Sequence, residues 1–214
     1  KERPILFSGP MVRAILEARK TQTRRVVNPQ PAPFETWDWS WPIPGKNVTP
    51  GSRNCWRNDA GANIAYYCPY GRVGDRLWVR ETHWLRDCPE HDEGQGSGRG
   101  ILCTCADKSF VRYRADGGHN TGCWRPSIYM PRWASRITLE ITDVRVQRVQ
   151  EIWLSPADMY AEGSEPDPSV TYEWQQRRGF SSLWDSINAK RGFSWESNPW
   201  CWALTFKRVQ QESR

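Results

Sequence analysis

Lysine is scarce in this chain. Of 30 basic residues only six are Lys, at positions 1, 20, 46, 108, 190 and 207, and 24 are Arg. Histidine is scarcer, with three residues at 83, 91 and 119, and no pair of them is suited to a two-histidine ribonuclease. Seven cysteines are present, but none forms a Cys-x-x-Cys pair, so the commonest zinc-chelating and redox motifs are missing. No apolar run approaches the roughly 18 residues that span a bilayer. No charged-then-apolar leader precedes the first strand, so a cytoplasmic location with reduced thiols is expected.

What is present points toward nucleotides. The net charge is +6, carried mostly by arginine, with 24 acidic residues offsetting much of it. Arginine forks pair bidentately with phosphate and stack on rings, which favours nucleic acid or a nucleotide over a membrane surface. Ordinary surface charge is the plainer alternative. Fourteen tryptophans supply core and leave candidates for base stacking. A length of 214 residues allows one domain with a sizeable core, or a small barrel with insertions.

Along the chain, Ile5-Leu6-Phe7 reads as a first strand. Ser8 offers an N-cap, Pro10 fits a first helical turn, and Val12, Ile15 and Leu16 make one apolar stripe, so a helix is expected over about 10–18. From Thr21 the pattern turns extended, with Thr21, Thr23 and Arg25 on one face and Gln22 and Arg24 on the other. Residues 28–70 and 86–125 are loop-rich and read as two insertions, the first lid-like. Gly71–Asp75 is a turn before a strand in which Leu77, Val79 and Glu81 share a face, and Phe110–Arg114 is a further strand. Ile137, Leu139 and Ile141 alternate, then Val144 and Val146 continue on the opposite parity, which predicts a β-bulge near Thr142-Asp143. Ser155, Pro156 and Asp158 start a short helix that Gly163 stops. Phe180, Leu183, Trp184 and Ile187 form one helix face, and Trp200, Trp202, Leu204 and Phe206 one face of a closing strand. The fold class expected is α+β, a mixed β-barrel with flanking helices and two long loop-rich insertions in a single domain.

The densest chemistry is Glu17-Ala18-Arg19-Lys20-Thr21-Gln22-Thr23-Arg24-Arg25, where helix gives way to strand. Glu162 lies at a predicted helix C-terminus, where the dipole disfavours an anion and calls for a cation partner; Lys20 is the natural one. A Lys beside a carboxylate in a partly dry pocket can take the proton of a Thr hydroxyl, leaving Thr23 as nucleophile for amide hydrolysis. The alternative is that Lys20, Thr23 and Arg25 only bind an anionic or nucleoside ligand.

This stretch resembles the signature of the ASCH family, small β-barrel proteins related to PUA domains: Gly-x-Lys-x-x-x-x-Arg after the first helix. Lys20 and Arg25 fall on its fixed positions, and Ala18 stands where the family has Gly. Gly74-Asp75-Arg76-Leu77-Trp78-Val79-Arg80-Glu81, Ala161-Glu162-Gly163 and the Trp-rich closing strand follow in an order similar to that of larger ASCH-containing phage and prophage proteins. The resemblance implies a PUA-like barrel and contact with RNA. Ribonuclease activity is known in the family. Some small members are amidohydrolases that deacetylate N4-acetylcytidine with a Lys, a Thr three residues on and a distant Glu, which implies Lys20, Thr23 and Glu162 as the catalytic set. Those enzymes are smaller and lack the insertions.

Arg19, Arg24 and Arg25 are the candidate phosphate contacts, with Trp78, Arg80 and Glu81 completing the ligand-binding set. A salt bridge to an arginine is the plainer role for Glu81. In the second insertion, Cys88, His91, Cys103 and Cys105 are a candidate structural zinc set, weighed against unligated thiols; no other cofactor is expected. The function expected is a nucleoside- or RNA-directed protein, with N4-acylcytidine hydrolysis as the enzymatic form. A non-catalytic RNA- or DNA-binding module is the alternative, and an adaptor for a host factor a third.

Overall fold

The computed structural model describes residues 1–31, 36–38, 54–57, 63–66, 68–85, 111–117, 124–164 and 172–209. The architecture is α+β. Its centre is a five-stranded mixed sheet of β1 (Glu2–Leu6), β6 (Arg76–Arg80), β9 (Thr138–Arg148), β10 (Trp200–Val209) and β2 (Gln22–Val26), in that order. β1 pairs parallel with β6, and every other pairing is antiparallel. Two smaller sheets lie apart from it in sheet pairing. One joins β3 (Thr36–Asp38), β4 (Asn54–Arg57) and β5 (Asn63–Tyr66); the other pairs β7 (His83–Leu85) with β8 (Val111–Tyr113).

Among the described residues the large sheet does not close, which corrects the expected barrel. Its edges, β1 and β2, are consecutive strands joined through helix α1 (Gly9–Leu16). No backbone ladder links them. The link is a side chain: Arg25 Nη2 donates to the Leu6 carbonyl at 2.7 Å.

Two apolar cores flank the sheet. The larger gathers Met11, Val12 and Ile15 of α1 against Ile5, Leu77, Leu139, Ile141, Val144, Val146, Trp202, Leu204 and Phe206. The smaller lies around Cys201, where Met159 of α2 (Pro156–Ala161) meets Phe180 and Trp184 of α3 (Tyr172–Asn188). β10 serves both, since Trp202, Leu204 and Phe206 alternate with Cys201 along it. Burying each such large side chain contributes about 1.5–3 kcal/mol.

The bulge falls where the parity change placed it. Thr205 pairs with Asp143 and Phe206 with Ile141, so Thr142 is skipped. That extra residue keeps Leu139, Ile141, Val144 and Val146 in one core despite their broken alternation. It also leaves Arg145 on the opposite face, where it reaches Asp158 of α2 at 3.0 Å.

Helix ends follow local chemistry. The Ser155 hydroxyl caps α2 by accepting from the Asp158 N–H at 3.2 Å. Ser8 occupies the N-cap of α1 but makes no side-chain cap bond. At the other end of α1, Ala18 N–H reaches Ile15 O at 3.1 Å and Arg19 N–H reaches Ala14 O at 2.9 Å. This is a Schellman ending with Ala18 left-handed, at φ 59°. It turns the chain so that Lys20 points back under the helix. No helix among the described residues is long and apolar enough to cross a membrane.

Candidate functional site

α1 ends in a turn that delivers Lys20 inward, and α2 ends on Glu162, which faces it. Lys20 Nζ donates to Glu162 Oε2 at 3.0 Å, to the Glu162 carbonyl at 2.7 Å and to the Gln22 carbonyl at 2.7 Å. Those three acceptors use all three ammonium protons. Lys20 is 3% exposed and Glu162 4%, so the pair lies in a dry environment. Burial pushes the Lys20 ammonium below its usual value, and Glu162 opposes that shift without cancelling it. Gly163 makes the approach possible. It is left-handed at φ +64°, and a Cβ there would sit 2.8 Å from the Lys20 Cβ.

Arg24 is the second cation on Glu162. Its Nη1 donates to Glu162 Oε1 at 2.8 Å and to Gln22 Oε1 at 2.6 Å, and its Nη2 to Asp158 Oδ2 at 3.2 Å. With the Gln147 amide oxygen turned toward it, Arg24 also reaches that oxygen from Nε at 3.2 Å and from Nη2 at 2.7 Å. All five donors of the fork are then used inside the protein. Alternation along β2 explains the division of labour. Gln22 and Arg24 point toward α2, while Thr23 and Arg25 take the other face.

A cleft of about 120 Å³ opens beside this charge cluster along β2. Lys20, Thr23 and Glu162 border it, with Phe7 and Met11 on one side and Phe180, Trp184 and Ile187 of α3 on the other. Thr23 is buried, and among the described residues its hydroxyl has no hydrogen-bond partner. Arg25 lies over the Phe7 ring, 5.1 Å from its centroid, and Arg191 opens onto the same cleft from the turn after α3. Burial, with Arg191 adding to it, pushes Arg25 below its usual value, but a guanidinium stays charged.

The structure therefore brings Lys20, Thr23, Glu162 and Arg25 to one cleft, with Arg24 at its floor and fully engaged by protein acceptors. The other candidates are placed elsewhere. Arg19 is on the surface with Glu17, Nε to Oε2 at 2.8 Å. Glu81 is buried against Arg136, at 2.9 and 3.0 Å, and the same guanidinium holds Asp116 by two 2.8 Å bonds. Trp78 is 7% exposed, with Arg80 stacked on it at 4.6 Å and Arg132 at 5.9 Å, so it offers no free face for a base. Cys88, His91, Cys103 and Cys105 lie outside the described residues. Among the described ones, no three His, Cys, Asp or Glu side chains are grouped to hold a metal.

Arg191, Trp184 and Tyr70 are cleft residues that sequence reasoning missed as functional. A signal existed for Arg191. It follows Ile187 by four, on the spacing that set out Phe180, Leu183, Trp184 and Ile187 as one face. That face is both core and cleft wall. Comparison with known proteins adds no relative: no family model, no curated protein and no solved structure matches the chain.

Proposed function

We propose that the cleft along β2 receives the base of a nucleoside or of RNA, and that Thr23 hydrolyses an amide on that base, as in an N4-acylated cytosine. The reading rests on the resemblance of Lys20 and Arg25 to the ASCH signature and carries with it a PUA-like relationship and a cytoplasmic setting. The observation that supports it most is the unpartnered Thr23 hydroxyl opening onto a cleft whose buried lysine is pushed toward its neutral form. A cavity of about 150 Å³ holds a benzene ring, so a cleft of about 120 Å³ that is open on one side is of the size to seat one ring of a base.

In the reaction, neutral Lys20 takes the Thr23 proton as the Thr23 oxygen bonds to the acyl carbon. The carbon–nitrogen bond breaks, and the proton passes to the leaving amine. Water then hydrolyses the threonyl ester, releasing the acid and restoring Thr23. Glu162 and Arg24 position Lys20 and do not touch the substrate.

One observation favours a second reading, recognition without turnover. The Lys20 ammonium gives every proton to an internal acceptor, none of them Thr23. The test is release of cytidine from N4-acetylcytidine and from a panel of other N4-acylated cytosines. The expected result is turnover by the wild type that falls about 100-fold or more in Thr23→Ala and in Lys20→Ala. The wild-type rate should climb with pH, because the base must lose its proton, with a midpoint below the ordinary lysine value of 10.5. Binding with no turnover across the panel would leave the binding module in its place.

A further inference from the structure

The charges lining the cleft do not cancel evenly. Lys20 and Arg24 at its floor are matched by Glu162 and Asp158. Arg25 and Arg191 are not: among the described residues neither has a carboxylate at ion-pair distance. Arg25 gives Nη2 to the Leu6 carbonyl at 2.7 Å and leaves the rest of its fork open; Arg191 makes one long hydrogen bond, Nη1 to Asn188 Oδ1 at 3.4 Å, and lies 6.0 Å from the centroid of the Phe193 ring. The two come from different elements, β2 and the turn after α3, and border one cleft. Arg25 is half-buried and set on the Phe7 ring, while Arg191 is exposed, so they occupy successive depths toward the mouth. The two guanidiniums repel each other across one opening, and Glu162 offsets this at Arg25 only from beyond ion-pair distance, so an anion between them is favoured. A planar fork matches the oxygens of a phosphate in a way that a lysine ammonium does not.

The size of the cleft limits where that anion can belong. About 120 Å³ suits one ring, so a sugar attached to that ring extends toward the open side of the cleft, where Arg191 is exposed. From this we infer that the ligand is a nucleotide, with its base in the cleft and its phosphate held between Arg25 and Arg191. The inference deepens the proposed function and rests on it. It names the phosphate group as part of the substrate, whether that phosphate belongs to a free mononucleotide or to an RNA strand.

The experiment measures Kd by the quenching of tryptophan emission, Trp184 being a cleft residue. The probes are N4-acetylcytidine, its 5′- and 3′-monophosphates, and a short single-stranded RNA carrying one N4-acetylcytidine. A phosphorylated probe should bind at least about tenfold tighter than the nucleoside. In Arg191→Ala the ratio should fall below about two, and Arg191→Lys should restore only part of it. A gain with a free monophosphate identifies a mononucleotide site, and a gain with the RNA alone identifies a strand. If the wild type binds nucleoside and phosphorylated probes within about twofold, or if Arg191→Ala keeps the preference, the inference falls and the proposed function stands. If no probe binds, both fall.

Discussion

Glu162 accepts from two buried cations at once, Lys20 at 3.0 Å and Arg24 at 2.8 Å, and the strength of that arrangement is best judged by removing its charge. In Glu162→Gln the two cations face a neutral amide with no water to screen them. Breaking a buried pair in this way costs about 3–5 kcal/mol. Glu17→Gln, at a pair that is about half exposed on both sides, should cost under about 1 kcal/mol. Urea unfolding of both variants at matched slope measures the difference. Similar midpoints for the two would mean that Glu162 is not the keystone of the cluster. The meeting of Lys20 and Glu162 was legible in the chain, because an acid at a helix C-terminus needs a cation. The capture of Arg24 was not. Alternation placed it on the face opposite Thr23 and Arg25, but nothing local says that the carboxylates of α2, more than 130 residues on, lie there.

At the scale of elements, local chemistry was the better guide. The Ser155 cap, the Gly163 stop and the bulge at Thr142 are each written in a few adjacent residues, and each lies where those residues put it. The α1 ending shows what a side chain costs in a left-handed turn. Ala18 sits at φ 59°, a conformation that costs a residue with a Cβ about 1–2 kcal/mol. Glycine has no such cost but loses about 0.5–1 kcal/mol in chain entropy. Ala18→Gly should therefore stabilise the protein by up to about 1 kcal/mol, read as a higher urea midpoint. It should leave the Lys20 position unchanged, since the bonds to the Ile15 and Ala14 carbonyls use only backbone. A lower midpoint would show that the turn tolerates alanine without strain. Strand partners were the illegible part. Periodicity tells which face of β1 is apolar, but not that its neighbour is β6, in parallel, or that the sheet stops short of closing.

For the whole molecule, a net charge of +6 overstates how much positive surface is available to a phosphate backbone. Many of the arginines are engaged internally: Arg24 with Glu162 and Asp158, Arg136 with Glu81 and Asp116, Arg145 with Asp143 and Asp158, Arg3 with Asp75. Others sit over rings, as Arg80 does over Trp78 at 4.6 Å and Arg148 over Trp200 at 4.5 Å. An arginine held by a carboxylate has little charge left to release counterions from a nucleic acid. Composition could show that arginine dominates the charge, but not that so much of it is consumed inside the fold. RNA binding should therefore depend only weakly on salt. With one or two phosphates neutralised at the Arg25–Arg191 mouth, the slope of log K against log salt for a single strand should lie between about −0.7 and −1.4. Titration of a labelled single-stranded RNA from low to physiological salt measures it. A slope steeper than about −3 would mean that a broad basic surface, and not one cleft, holds the strand.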